Sequence, residues 1–129
     1  MPAPSSRAPP TIYLEPRMST TIHVLLSEAL LCFAGMCHPA LVGPDTPHGA
    51  FQLRRLEVSA PQYGDDVLEF ARDGRGGVFA IHRPPSPARE QLLRRTQRPP
   101  VTNGCINVSH EVYEQLRACC TGWRLEIIP

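Results

Sequence analysis

Thr102-Asn103-Gly104-Cys105-Ile106-Asn107 is the stretch of this chain best suited to chemistry. A cysteine directly after a glycine, between a Pro-rich segment and a helix-like one, is placed like a nucleophile rather than a core thiol. Glycine lets the backbone approach a ligand closely, and successive amides in such a turn can form an oxyanion hole. The attacking species is the thiolate, so a base must stand nearby. Of the five histidines, His82 fits that role best. It ends the strand-like run VFAIH and directly precedes the loop that leads to Cys105. His23, His38, His48 and His110 have less specific settings.

The elements that must position these two residues are short. STTIHVLL, from Ser19, is β-branched and strand-like, whereas SEALLCFAGM, from Ser27, has good helix formers behind a potential cap. Read locally, the second piece predicts a helix. HPALVGPDTPHGAF (38–51) is a loop dense in turn residues, and FQLRRLEV (51–58) offers one short strand. VLEFAR (67–72), DGRGG (73–77) and VFAIH (78–82) predict a hairpin with glycine supplying the turn. Residues 83–101 form a long connection bracketed by proline pairs, with room for a helix at 88–97. Ser109 is a candidate N-cap for a helix SHEVYEQLRACC, with Glu111 in its first turn and Val112, Leu116 and Cys119 or Cys120 on one face. In the closing WRLEIIP, Trp123, Leu125 and Ile127 share one side of a strand.

Composition bounds the class. At 129 residues one domain is expected, with residues 1–19 a Pro/Ser-rich flexible lead-in and 20–129 the domain itself. There are 13 Arg, no Lys and 12 acids, a net charge of +1, so the footprint of a dedicated nucleic-acid binder is missing. Fifteen prolines rule out long helices and favour a β-rich domain. The apolar stretch Ile22 to Met36 is interrupted by His23, Ser27 and Glu28 and is too short for a membrane span. Residues 1–17 lack the apolar region of a Sec signal.

Five cysteines (Cys32, Cys37, Cys105, Cys119, Cys120) leave at least one thiol free if the others pair. Adjacent Cys119 and Cys120 are poorly placed to bond each other, and the expectation for Cys32, Cys119 and Cys120 is that of small buried hydrophobes. The spacing C-x4-C-H followed by a distant C-C pair fits structural zinc poorly, so no metal is expected.

Three separated features, in order, resemble the L,D-transpeptidase catalytic domain (YkuD-like) family. Thr46-Pro47-His48-Gly49-Ala50-Phe51 is similar to that family's TPxGxF segment, Ile81-His82 to its strand-ending histidine, and Thr102 to Asn107 to its [S/T]-H-G-C-hydrophobic-[R/N] motif. The resemblance spans about residues 20–129. It implies a mainly-β, sandwich-like catalytic domain with one or two short helices, in which 20–37 becomes a β-hairpin and the local helix reading is overruled. It implies Cys105, His82 and Gly104 as catalytic, and Thr102, Asn103, Asn107 and Arg83 as substrate-binding. It further implies peptidoglycan stem peptides as partners, action in the cell envelope or periplasm, and no metal or organic cofactor. A monomer is the expectation for oligomeric state.

Two departures from the family pattern bear on activity. Asn103 stands where the family usually has His, and 19 residues separate His82 from Thr102, slightly more than usual. Arg83 also follows His82 where small residues are commoner, which points to a carboxylate-bearing substrate. Together with Arg89, Arg94, Arg95 and Arg98 it makes the connection basic, either as a solvated face or as a guide for substrate carboxylates. Two other uses of the fold remain open from sequence: an antibacterial effector that trims or edits stem peptides, and a peptidoglycan-binding module with weakened catalysis.

Overall fold

The protein is described from a computed structural model covering residues 20–129; the expected lead-in at 1–19 lies outside the described residues. The strands are β1 (Thr21–Leu25), β2 (Leu30–Phe33), β3 (Met36–Pro39), β4 (Gly49–Gln52), β5 (Arg54–Glu57), β6 (Asp66–Arg72), β7 (Val78–His82), β8 (Ile106–Asn107) and β9 (Arg124–Ile128). Helix α1 (Pro87–Leu93) precedes β8, and α2 (His110–Cys119) follows it. They build a five-stranded sheet, β3-β2-β1-β9-β4, and a four-stranded sheet, β5-β6-β7-β8. The architecture is mainly β with two short helices.

Alternation dictates which faces meet. Ile22 and Val24 of β1, Leu31 of β2 and Leu125 and Ile127 of β9 point inward and are almost fully buried. They join Leu68 and Ile81 of the second sheet, together with Val112, Tyr113 and Leu116 from α2, in one core. The N-cap of α2 is as expected, with the Ser109 hydroxyl accepting from the Val112 amide at 3.1 Å.

The local helix reading of 27–36 loses to pairing. Leu31 stands opposite Val24 on one side, and Phe33 opposite Met36 on the other. Between Phe33 and Met36 the backbone turns through Ala34 and Gly35, both at positive φ (51° and 79°), the conformation of a two-residue type I′ hairpin. Helix propensity of a few tenths of a kcal/mol per residue, by about the usual scale, does not compete with burying Leu31 and Phe33 between two strands.

The single strand expected at 51–58 is two. Leu53, 1% exposed, carries the chain from the first sheet to the second. Its amide donates to the Trp123 carbonyl at 3.0 Å, and its carbonyl accepts from Gly122 at 2.9 Å. The helix expected at 88–97 stops at Leu93, where the Arg94 and Arg95 amides fall back to i−3 carbonyls (3.1 Å each).

The cysteines also depart from expectation. Cys32 and Cys37 are directly opposite in the β2–β3 ladder and form a disulfide. Cys119 and Cys120 form a second where the backbone leaves α2, Cys120 having abandoned helical angles at φ −126°. Only Cys120 of the three is a buried residue; Cys32 is half-buried and Cys119 exposed. Among the described residues Cys105 is the free thiol.

Candidate active site

Cys105 sits in a turn clamped from both sides. Residues 40–46, the loop after β3, lie against it. Leu41 and Asn107 exchange backbone hydrogen bonds at 2.9 Å each, and Val42 O accepts from the amides of Val101 (2.9 Å) and Thr102 (3.2 Å). Gly43 is required by this closeness, since a Cβ there would fall 1.9 Å from the Thr102 carbonyl oxygen. Thr46, buried in the TPxGxF-like segment, holds the same loop by accepting from the Gly43 amide at 2.9 Å.

Inside the turn, the Thr102 hydroxyl donates to the Cys105 carbonyl (2.6 Å) and accepts from the Gly104 amide (3.1 Å). Gly104 has φ +125°, and a Cβ would stand 2.3 Å from the Phe79 ring, so this position tolerates no side chain. The Cys105 thiol, half-buried, donates weakly to the Val78 carbonyl at 3.7 Å. Burial pushes the thiol above its ordinary pKa, partly offset by a backbone contact from Ala80.

His82 ends β7, which runs parallel to β8 with His82 opposite Asn107. Its Nδ1 lies 2.7 Å from the Arg83 carbonyl, an atom that only accepts, so Nδ1 carries the proton. Nε2 faces the Asn107 carboxamide nitrogen at 3.4 Å. The Tyr63 ring packs on the imidazole at 4.4 Å between centroids. Burial lowers the His82 pKa below the ordinary value, the Arg83 carbonyl opposes this, and the Arg89 charge adds to it. The ring is therefore neutral at pH 7 with its lone pair on Nε2.

Cys105 and His82 line one cavity of about 610 Å³ together with Thr102, Asn103 and Asn107. The four residues assigned to substrate binding by resemblance have different fates. Asn103 is exposed in the cavity, with no hydrogen bond to the described residues. The Thr102 hydroxyl is engaged by its own turn, and the fully buried Asn107 carboxamide by Arg89 and His82. Arg83 does not reach the cavity. Successive strand residues point to opposite faces, so with His82 toward the cavity Arg83 points away. Its guanidinium meets Asp66 (2.9 Å), Glu114 (2.5 Å) and the Tyr63 carbonyl (2.8 Å) and lies over the Tyr113 ring (4.1 Å).

Nor does the basic connection surround the cavity. Of its arginines only Arg89 lines it, while Arg98 reaches back to the carbonyls of Glu28 (3.3 Å) and Ala29 (2.9 Å). Sequence reasoning missed Tyr63, Asp45, Asp73 and Arg75, which also line it. The last two carried a local signal, lying in the turn that opens the strand His82 ends. Tyr63 and Asp45 carried none.

Two sheets bridged at Leu53, with two short helices, have the fold of an L,D-transpeptidase catalytic domain. The chain is similar to L,D-transpeptidase 1 of Mycobacterium tuberculosis, with a TM-score of 0.56 and 17% identity over 84% of this chain and 58% of that one. It is similar also to an L,D-transpeptidase of Mycobacterium smegmatis (0.60, 16%, 84% and 58%) and to one of Xylanimonas cellulosilytica (0.56, 20%, 87% and 62%). The match thus spans about three fifths of the length of those chains. At such identities the likeness is one of fold. No protein-family model matches the sequence, and no curated protein matches it. Among the described residues no helix is long and apolar enough to cross a membrane.

Proposed function

We propose that this chain is a cysteine-dependent acyltransferase of the L,D-transpeptidase type, acting on peptidoglycan stem peptides in the cell envelope. The observation that supports it most is that the free thiol of Cys105 and the neutral His82 ring line the same cavity. The bond to be broken is that between the diamino acid at stem position three and D-Ala at position four. Cys105 Sγ attacks its carbonyl carbon while His82 Nε2 takes the thiol proton, which displaces the long 3.4 Å approach of the Asn107 carboxamide nitrogen from the ring lone pair. Gly104's amide is taken by Thr102, and the Cys105 amide, next to the attacking sulfur, serves as donor for the oxyanion. On collapse the C–N bond breaks, Nε2–H returns the proton to the departing D-Ala amine, and a thioester remains. An amine from a second stem resolves it as a 3→3 cross-link, a free D-amino acid as an exchange, and water as carboxypeptidase action. These steps need no metal or organic cofactor.

The test is mass spectrometry of disaccharide-tetrapeptide incubated with the protein and, in parallel, with Cys105→Ala. Loss of D-Ala that depends on Cys105 is expected. A tripeptide product would mean hydrolysis, a dimer cross-linking, and a substituted terminus exchange. Turnover by the Cys105→Ala protein would sink the mechanism. Binding without turnover in the folded native protein would replace it with a stem-peptide-binding module.

A further inference from the structure

We propose that Arg89 is a positioning residue that, by orienting Asn107, backs from the Nε2 side the tautomer of His82 that the Arg83 carbonyl sets from the Nδ1 side; the inference rests on the Cys105–His82 reading above. Arg89 Nη1 donates to Asn107 Oδ1 at 2.9 Å and Nη2 to the Val101 carbonyl at 3.3 Å. A guanidinium has donors only. The atom of Asn107 that meets it must therefore be the carboxamide oxygen, which turns the carboxamide nitrogen toward His82 Nε2 at 3.4 Å. That nitrogen in turn only donates, so Nε2 must present its lone pair. At the far side of the ring the Arg83 carbonyl demands Nδ1–H. Arg89, Asn107, His82 and Arg83 thus form a chain of donors and acceptors with one consistent direction.

The fold holds this chain rigidly. Asn107 is fully buried, and its backbone is pinned by both hydrogen bonds to Leu41. Arg89 stands in the first turn of α1, where the Ser86 hydroxyl accepts from its amide at 3.3 Å. A lysine or arginine reaching freely into the cavity would be a substrate anchor. Arg89 instead has its fork divided between a carboxamide and a carbonyl.

Other groups face His82. Tyr63 packs on the ring, and Cys105 shares the cavity with it, as do Asp45, Asp73 and Arg75. Arg83, next in the chain, has its charge paired to Asp66 and Glu114. Of these neighbouring charges, that of Arg89 is the one that disfavours the imidazolium.

The decisive measurement is a pH titration of the His82 ring nitrogens by NMR in the ligand-free chain, assigned with a His82→Gln control. The native protein is expected to show the Nδ1–H tautomer. Arg89→Met should raise the titration midpoint and let a minor share of Nε2–H appear beside the Nδ1–H form that the Arg83 carbonyl still favours, and Arg89→Lys, which restores a charged donor, should reverse both changes. With tetrapeptide as substrate, Arg89→Met should lower kcat about 10–100-fold, the direction of a wrong-tautomer defect, with KM little changed. A folded Arg89→Met protein with native tautomer and midpoint would overturn the proposal. So would a raised KM at unchanged kcat, which would make Arg89 a substrate anchor. Arg89→Ala substitutes if Arg89→Met does not fold; a chain that folds with neither would show Arg89 to be structural and also overturn it. The ring titration needs no substrate, so its outcome stands apart from whether the stem-peptide reading holds.

Discussion

Replacing Arg83 by Leu separates a structural from a substrate-binding role for the residue that follows the base. In the fold Arg83 is 8% exposed and Asp66 3%, their ion pair is 2.9 Å long, and the arginine also bonds the Tyr63 carbonyl. Removing one partner from such a buried pair costs about 3–5 kcal/mol, because the other charge is left without compensation. Asp66 is not wholly abandoned: Arg55 remains at 3.0 Å and Arg117 at 3.9 Å, both partly exposed. That places the expected loss at about 2–3 kcal/mol, or on the order of 8–12 °C in Tm for a domain of this size. Urea denaturation read by fluorescence of Trp123 and by circular dichroism measures it. The double variant Arg83→Leu/Asp66→Leu should recover much of the loss, since it removes the orphaned carboxylate. The acid limb should change as well. Burial raises the Asp66 pKa but the bonds from Arg83 and Arg55 outweigh it, so the net shift is downward from 3.8. The pair's contribution is therefore complete above that value and is lost as pH falls through the lower folded one, a dependence that should flatten in Arg83→Leu. A variant within about 0.5 kcal/mol of native stability, the scatter of ordinary surface changes, would refute the reasoning. If it also bound carboxylate-bearing substrate less well, Arg83 would be a substrate residue after all.

Gly104→Ala should cost about 2–4 kcal/mol from its positive φ and the collision with Phe79, and should abolish Cys105-dependent turnover wherever the chain still folds; melting curves and the tetrapeptide assay check both. Thiol counting under denaturing conditions should find one thiol per chain without reductant and five with it, and three or more without reductant would remove at least one of the two disulfides. His82→Gln should slow acylation by about 10²–10⁴-fold while leaving the fold intact, so a rate within a factor of two of native would dismiss His82 as the base. On the proposed mechanism the acid limb of kcat/KM of the native protein should lie below 6.5, because His82 must lose its proton to act and burial has already lowered its pKa; an acid limb above pH 7 would contradict that assignment.

The turn that carries Cys105 was legible because its chemistry is local. A Gly-Cys pair after a Thr needs nothing beyond its own backbone to suggest a braced, close-approach turn, and Thr102 braces it. His82 was legible for a similar reason, as the last residue of a short apolar strand. Arg83 could have been placed from the same strand: alternation that points His82 into the cavity sends its neighbour out. Weight given to charge alone hid this. The break at Leu53 had no local mark, since an apolar residue between strand formers reads as strand whichever sheet receives it. Pairing with Trp123 and Gly122, some seventy positions away, decides the matter. The Cys32–Cys37 disulfide was hidden by the same dependence on register, which places Cys37 opposite Cys32 only once 30–39 is known to be a hairpin.

Both groups of the proposed Cys105–His82 pair are held on the neutral side of their titrations, the thiol by burial above its ordinary pKa and the imidazole by burial and Arg89 below its own. Forming a thiolate–imidazolium pair before substrate binds would charge two groups whose burial disfavours the charged form, with Arg89 repelling one of them. The free energy for that separation must come from the substrate, whose carbonyl oxygen takes up the negative charge as sulfur loses its proton. A site built this way is slow toward a small alkylating agent at neutral pH, because such a reagent brings no carbonyl to the Cys105 amide. Iodoacetamide modification of Cys105 should therefore accelerate only above about pH 9, the ordinary thiol value. The acid limb of acylation should fall several units lower, because acylation draws on the neutral histidine. Coincident midpoints for the two reactions would mean that a preformed ion pair, rather than a neutral couple, drives the chemistry.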